Sequence, residues 1–185
     1  MMHTKVRDLT LEAVFLALLI VFAMVPGMTL GFLPVPVVMQ NLGVMLIALI
    51  LGARRGSLVM SVFIIMIALG LPVLTGGHGG MAVLVGPTAG YIWAWLFQPA
   101  VFAFLSRFWP KKGGQIRPGV FQSFVLIFMI DLVLVYGMGA VWLSFSSHMT
   151  FGQAYLGNML FVPGDIVKVI LATVIVKALP EKLFQ

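Results

Sequence analysis

Residues 120–145 read VFQSFVLIFMIDLVLVYGMGAVWLSF, with one charged residue, Asp131, and no lysine or arginine. A helix needs about 20 predominantly apolar residues to cross the hydrocarbon of a bilayer. This stretch is long enough and apolar on every face, so it reads as a membrane span. Strands of a membrane barrel would be about ten residues long and alternate in polarity. Here the apolar run is continuous. The rest of the chain has the same texture. Residues AVILMFWYC make up 62% of the 185 positions and charged residues 9%, against about 45–50% and about 25% in soluble domains. Mean hydropathy is +1.15. A soluble fold is excluded, and at about 20 residues per span plus loops the ceiling is six or seven spans.

Working outward, six apolar runs emerge, at about 9–25, 37–53, 56–72, 81–105, 120–145 and 155–179. The first follows a basic start, but Asp8 and Glu12 and the lack of a small-x-small site argue for a retained helix over a cleaved signal. The second is expected to end at Arg54-Arg55. The fourth carries Pro87 and Pro99, either of which can kink it. The loops test the count. Lys5, Arg7, Arg54, Arg55, Arg107, Lys111, Lys112, Arg117, Lys177 and Lys182, ten of the eleven basic residues, fall on alternate loops and ends. Loops 26–36, 73–80 and 146–154 carry none. Positive residues stay in the cytoplasm, so the expectation is an all-α polytopic membrane protein with six helices and both termini cytoplasmic. The whole chain, 1–185, reads as one integral membrane domain.

The same arithmetic narrows function. The net charge of +6 is a topology signal, and the basic residues are too dispersed for nucleic acid. With no cysteine, thiol chemistry and disulfides are excluded. His3, His78 and His148 have no ligand spacing. There is no phosphate loop, HExxH or nucleophile elbow. No metal or cofactor is expected, and the chain is not expected to be an enzyme.

Charges inside the apolar runs are Asp131, Asp165 and Lys168. A charge at mid-bilayer costs at least about 2.5–3.5 kcal/mol, which makes each a candidate site residue. Asp165 and Lys168 are three apart and share a helical face. They read either as an ion pair tying helix six into the bundle or as part of a site. Pro163-Gly164 stands just before them. If a helix restarts there, Asp165 lies in its first turn, where the dipole favours a carboxylate. Asn158 faces the same side only if the helix is continuous. Asp131 is either protonated or paired across helices. Gln40 and Asn41 open helix two, and Gly86, Thr88 and Tyr91 lie in a polar segment of the same outer half. Gly86 and Gly90 permit close approach of a ligand or of a neighbouring helix. Trp93 and Trp95 read as packing or interfacial residues. Ala13 and Ala17 form a small-xxx-small pair on helix one.

Several segments together resemble a known family. They are Pro36-Val37-Val38-Met39-Gln40, Leu51-Gly52-Ala53-Arg54-Arg55-Gly56, Gly70-Leu71-Pro72-Val73, Gly86-Pro87-Thr88-Ala89-Gly90-Tyr91 and Pro163-Gly164-Asp165-Ile166-Val167-Lys168. The last two are the most specific, with Ala89 where glycine is expected. Over nearly its whole length the chain resembles the BioY family, the biotin-specific substrate-binding (S) components of energy-coupling factor transporters. The resemblance implies a six-helix S-component fold and capture of biotin from outside. It also implies a transmembrane coupling subunit and two ATP-binding-cassette ATPases as partners. Asp165 and Lys168 would belong to the biotin site, and Ala13 and Ala17 to the docking face for the coupling subunit. The chemistry agrees. A carboxylate accepts from ureido N–H groups, and an ammonium donates to the ureido oxygen or to the ligand carboxylate. Tyr91 or the tryptophans can wall the rings, and Asn41 or Asn158 can add hydrogen bonds. The rivals are an S component for another vitamin and an intramembrane aspartyl protease using Asp131 and Asp165. The second lacks the Gly-x-Gly-Asp pattern, since Val162 stands where the first glycine belongs.

Overall fold

The structure is a computed structural model that describes residues 2–29, 31, 33–109 and 119–180, with side chains from residue 6 onward. Lys5, Lys111, Lys112, Arg117 and Lys182, on which part of the charge pattern rests, lie outside the described side chains. The chain is a helical membrane protein. Helix α1 spans Met2–Ala23. A short antiparallel ribbon, β1 (Met28–Thr29) and β2 (Pro36–Val37), pairs Met28 with Val37. Then follow α2 (Gln40–Ala68) and α3 (Ala89–Leu105). A long helical stretch comprises α4 (Val120–Ile130), a π turn (Asp131–Val135) and α5 (Tyr136–Ser146). A second comprises α6 (Phe151–Asn158), a 3-10 turn (Met159–Phe161) and α7 (Val162–Ala178). Gln40–Ala68, Val120–Ser146 and Phe151–Ala178 are long and apolar enough to cross a membrane.

Helix α2 is not one rod. Gly52 has φ 70° and ψ −167°, a region that is essentially glycine's alone. A straight helix of this length would hold its two ends about 40 Å apart. Instead Gln40 Nε2 donates to Val73 O at 3.0 Å, and Thr75 N donates to Gln40 Oε1 at 3.1 Å. The two halves therefore double back on each other, with Gly56 close against Ile47. The expected break at Arg54-Arg55 is corrected to Gly52, because backbone freedom and not charge makes the reversal. Arg55 belongs to the second half. It pairs with Glu12 at 2.9 Å and Asp8 at 3.2 Å, so both acids of α1 are held at the reversal.

The fourth apolar run is also corrected. Residues 81–88 are turns, and the helix starts only at Ala89, so Pro87 precedes it and kinks nothing. Irregular backbone at membrane depth is tolerated where protein or a cavity surrounds it. Two tryptophans supply donors here: Trp93 Nε1 to Leu84 O at 3.2 Å and Trp142 Nε1 to Gly86 O at 2.8 Å. Trp93 is thus a backbone partner as well as a packing residue.

The described residues of loop 26–36 pack at this same end. Gly27 lies against Pro36 and Thr75, and Leu33 fills the space beside Gly157. Leu19, Met45, Ile47, Met60, Phe63 and Ile67 are fully buried, while Val133, Phe145 and Val174 point outward. Large outward apolar side chains are costly in water and fitting in lipid. On α1, Phe15 and Leu19 face the core, while Ala13 and Ala17 are exposed with Val14 and Val21.

Candidate functional site

A cavity of about 540 Å³ lies between the loop cluster and the helices. Pro34–Val38, Leu74, Thr75, His78, Ala82, Val83 and Gly86–Thr88 line it from the loops. Asn41 of α2, Tyr91 and Trp95 of α3, Tyr136 of α5, and Asp165 and Lys168 of α7 line it from the helices. Its size is within the range of about 300–1,000 Å³ usual for small-ligand pockets.

The polar end is built around α7. The 3-10 turn Met159–Phe161 interrupts the helical stretch, and α7 restarts with Pro163 in its first turn. Proline loses nothing there, because the first N–H groups of a helix have no intrahelical acceptor. The restart leaves Asp165 in the first turn, as expected from Pro163-Gly164. Lys168 Nζ donates to Asp165 Oδ1 at 2.8 Å, and both residues are buried. Tyr136 Oη donates to the other oxygen, Oδ2. Asn41 Nδ2 lies 3.4 Å from Asp165 Oδ1 and 3.0 Å from Asp131 Oδ2. Gln98 Nε2 donates to Asp131 Oδ1 at 3.4 Å. Asp131 thus pairs with amides on two other helices.

The π turn explains why Tyr136 reaches this cluster. On an α-helix, residues five apart point about 140° away from each other. The i→i+5 bond from Tyr136 N to Asp131 O widens the turn and brings the two toward one face. A carbonyl in the widened turn finds an outside donor, Tyr155 Oη to Leu132 O at 3.1 Å.

Seven of the eight expected ligand-contact residues line this one cavity: Gln40, Asn41, Gly86, Thr88, Tyr91, Asp165 and Lys168. Asn158 does not. The interruption at Met159 turns it away, and it accepts from Tyr91 Oη at 2.7 Å and donates to Tyr136 O at 3.1 Å. It steadies two walls of the cavity. Gln40 lines the cavity, but its amide is fully engaged with Leu19 O, Val73 O and Thr75. Gly90 serves packing, since a Cβ there would lie 2.4 Å from Trp142 Cβ.

Comparison with known proteins agrees with this architecture. The model of the BioY family matches residues 1–184. The chain belongs to the BioY family. A BioY relative, "Biotin transporter BioY" from Rhizobium etli, is 39% identical over 93% of this chain and 92% of its own. The Lactococcus lactis subsp. cremoris protein "Biotin transporter BioY" is 38% identical over 97% of this chain and 94% of its own. Among solved structures, "Crystal structure at 2.1 A of the S-component for biotin from an ECF-type ABC transporter" superposes with a TM-score of 0.88. It is 35% identical and covers 99% of this chain and 98% of that one. BioY membership makes this a transporter component and not an enzyme, which removes the protease alternative. Asp165 is in any case held by Lys168 and Tyr136.

Tyr136, Thr75 and His78 line the cavity without a signal in the sequence that marks them as contacts, and Trp95 lines it as one of the tryptophans expected either to pack or to wall the rings. Trp95 Nε1 is buried without a partner among the described residues. Tyr136 had no helical signal, because the π turn alone puts it in line with Asp131. Thr75 and His78 sit in a glycine-rich loop whose folding back over the cavity only the contact with Gln40 reveals.

Proposed function

We propose that this protein is the biotin-capturing S component of an energy-coupling factor transporter. The observation that carries the reading is the buried Asp165–Lys168 pair lining the cavity of a fold matched at TM-score 0.88 to an S component for biotin. Paired charges meet the alternating donors and acceptors of a ureido ring, and the apolar walls suit the thiophane ring and its chain. Asp165 would accept from ureido N–H. Lys168 would donate to the ureido oxygen or the carboxylate. Asn41, Thr88 and the backbone around Gly86 would complete the contacts, with Tyr91 and Trp95 as walls. No cofactor enters this reading.

The protein is read as a single integral domain of the cell membrane with six spans, α2 counting as two, and both termini cytoplasmic. The reversal at Gly52 supports the count. The location of Arg55, Asp8 and Glu12 at that reversal, opposite the loops that cover the cavity, supports the orientation. Ligand would enter from outside through those loops. The exposed Ala13 and Ala17 on α1 suit docking of a transmembrane coupling subunit with two ATP-binding-cassette ATPases, since small residues let helices approach.

Native mass spectrometry of detergent-purified protein tests the ligand. Retained biotin, displaced by added biotin and by no other vitamin, is the expected result; retention of a different vitamin would replace biotin in the reading. A cysteine introduced at Gly77, in a chain that has none, should react with an impermeant reagent from outside only.

A further inference from the structure

We propose that Asn158 is a positioning residue for recognition of the ligand's second ring, locking the Tyr91 wall from outside the cavity. This rests on the biotin reading and deepens it. Asn158 closes α6, immediately before the 3-10 turn, and is fully buried. It does not line the cavity, whereas Tyr91 of α3 and Tyr136 of α5 both do. Its amide joins these two walls. Nδ2 donates to Tyr136 O at 3.1 Å, and Oδ1 accepts from Tyr91 Oη at 2.7 Å. The amide has one workable orientation. A backbone carbonyl only accepts, so the nitrogen must face Tyr136, and the oxygen then turns to the Tyr91 hydroxyl. Both bonds join neutral groups.

Tyr91 is thereby fixed at three points. Its backbone belongs to the first turn of α3. Its ring lies on α5 at Gly139, where a Cβ would stand 2.2 Å from ring carbon Cε1. Its hydroxyl is held by Asn158. A buried phenol whose proton is already given has no donor left for a ligand, so what Tyr91 offers the cavity is apolar surface. Tyr136 carries the constraint onward. Its carbonyl takes the Asn158 amide, while its hydroxyl donates to Asp165. The apolar wall is therefore held in register with the charged end. A ligand of two fused rings needs that register, because one ring meets Asp165 and Lys168 while the rigid second ring must meet the wall at the same time. A ligand with the first ring alone does not need it.

The test measures affinity of the purified full-length protein for biotin and for desthiobiotin, which keeps the ureido ring and the acid chain and lacks the thiophane ring. Melting temperature is measured on each variant. In Asn158→Leu the Tyr91 ring loses its tether. Biotin affinity is expected to fall about fivefold or more, and desthiobiotin affinity to change by less than about twofold. Tyr91→Phe keeps the ring and breaks the same bond from the other side, so the preference for biotin should shrink in the same way. The double variant should be no worse than the more affected single variant, because all three lack one and the same hydrogen bond. If Asn158→Leu is not monodisperse, Tyr91→Phe, smaller by one oxygen, reads the preference alone. A lowered melting temperature with an unchanged preference means that Asn158 only supports the fold, and overturns the proposal. Losses that multiply in the double variant also overturn it, since the two residues would then act separately. Failure of wild type to bind biotin would overturn the proposed function itself, and is seen before any variant is compared.

Discussion

Two hollows among the described residues differ in character, and the smaller of them is the candidate site. The cavity of about 540 Å³ has Asp165, Lys168 and Asn41 on its wall. The other is a groove of about 880 Å³ between α3 and the α4–α5 stretch, lined by residues such as Gly90, Phe97, Val101, Val133, Gly137 and Trp142. It presents no charged side chain. In water its size would make it the leading candidate. In a bilayer, lipid tails fill an apolar groove as well as any ligand does, so apolar area there gives no selectivity. Buried charge carries the opposite message. It is expensive at membrane depth and persists where a partner or ligand compensates it.

The largest effect expected on biotin affinity is on the charged wall. Asp165→Asn and Lys168→Met should each weaken binding by about a hundredfold or more, because removing one member of a buried pair strands the other at a cost of about 3–5 kcal/mol. Titration of monodisperse protein checks this, and unchanged affinity in both variants would erase the distinction between the hollows. A smaller loss is expected from Gly139→Ala. A Cβ there would stand 2.2 Å from the Tyr91 ring, which lines the cavity from α3. Overpacking of this kind costs about 1–3 kcal/mol, and both melting temperature and biotin affinity should fall.

Outside both hollows, Ala13→Leu with Ala17→Leu should change biotin affinity of the isolated protein by less than about twofold. Uptake and pull-down of the coupling module should be lost, because both residues point away from the cavity on the exposed side of α1. Loss of biotin binding along with the partner would refute the docking face. The smallest effect belongs to the groove itself. A Cβ at Gly137 meets nothing within 4 Å, so Gly137→Leu should fill apolar space and leave biotin affinity unchanged. A large loss would show that the groove and the cavity communicate.

Composition and the length of the 120–145 run were sufficient to read a helical membrane protein. Asp165 and Lys168 were legible for a related reason: at three residues apart beside Pro163-Gly164, local helical geometry nearly dictates their contact. The elements misread were those in which apolar sequence does not mean regular helix. Residues 81–88 are apolar enough for a span, yet remain turns because tryptophan side chains from α3 and α5 accommodate their carbonyls. Asn158, seven residues before Asp165, would share its face on an unbroken helix, and the 3-10 turn redirects it.

The sequence by itself determined the solvent, the helical class and the identities of the buried charges, because hydrophobicity, backbone satisfaction in lipid and i,i+3 spacing are local properties. Only the tertiary structure decided the reversal at Gly52, the alignment of Asp131 with Tyr136 through a π turn, and the meeting of Asn41 with two carboxylates 90 and 124 positions away. Those depend on which helices lie side by side. A polar group in lipid accepts whatever partner packing brings within reach, and no spacing along the chain records that choice.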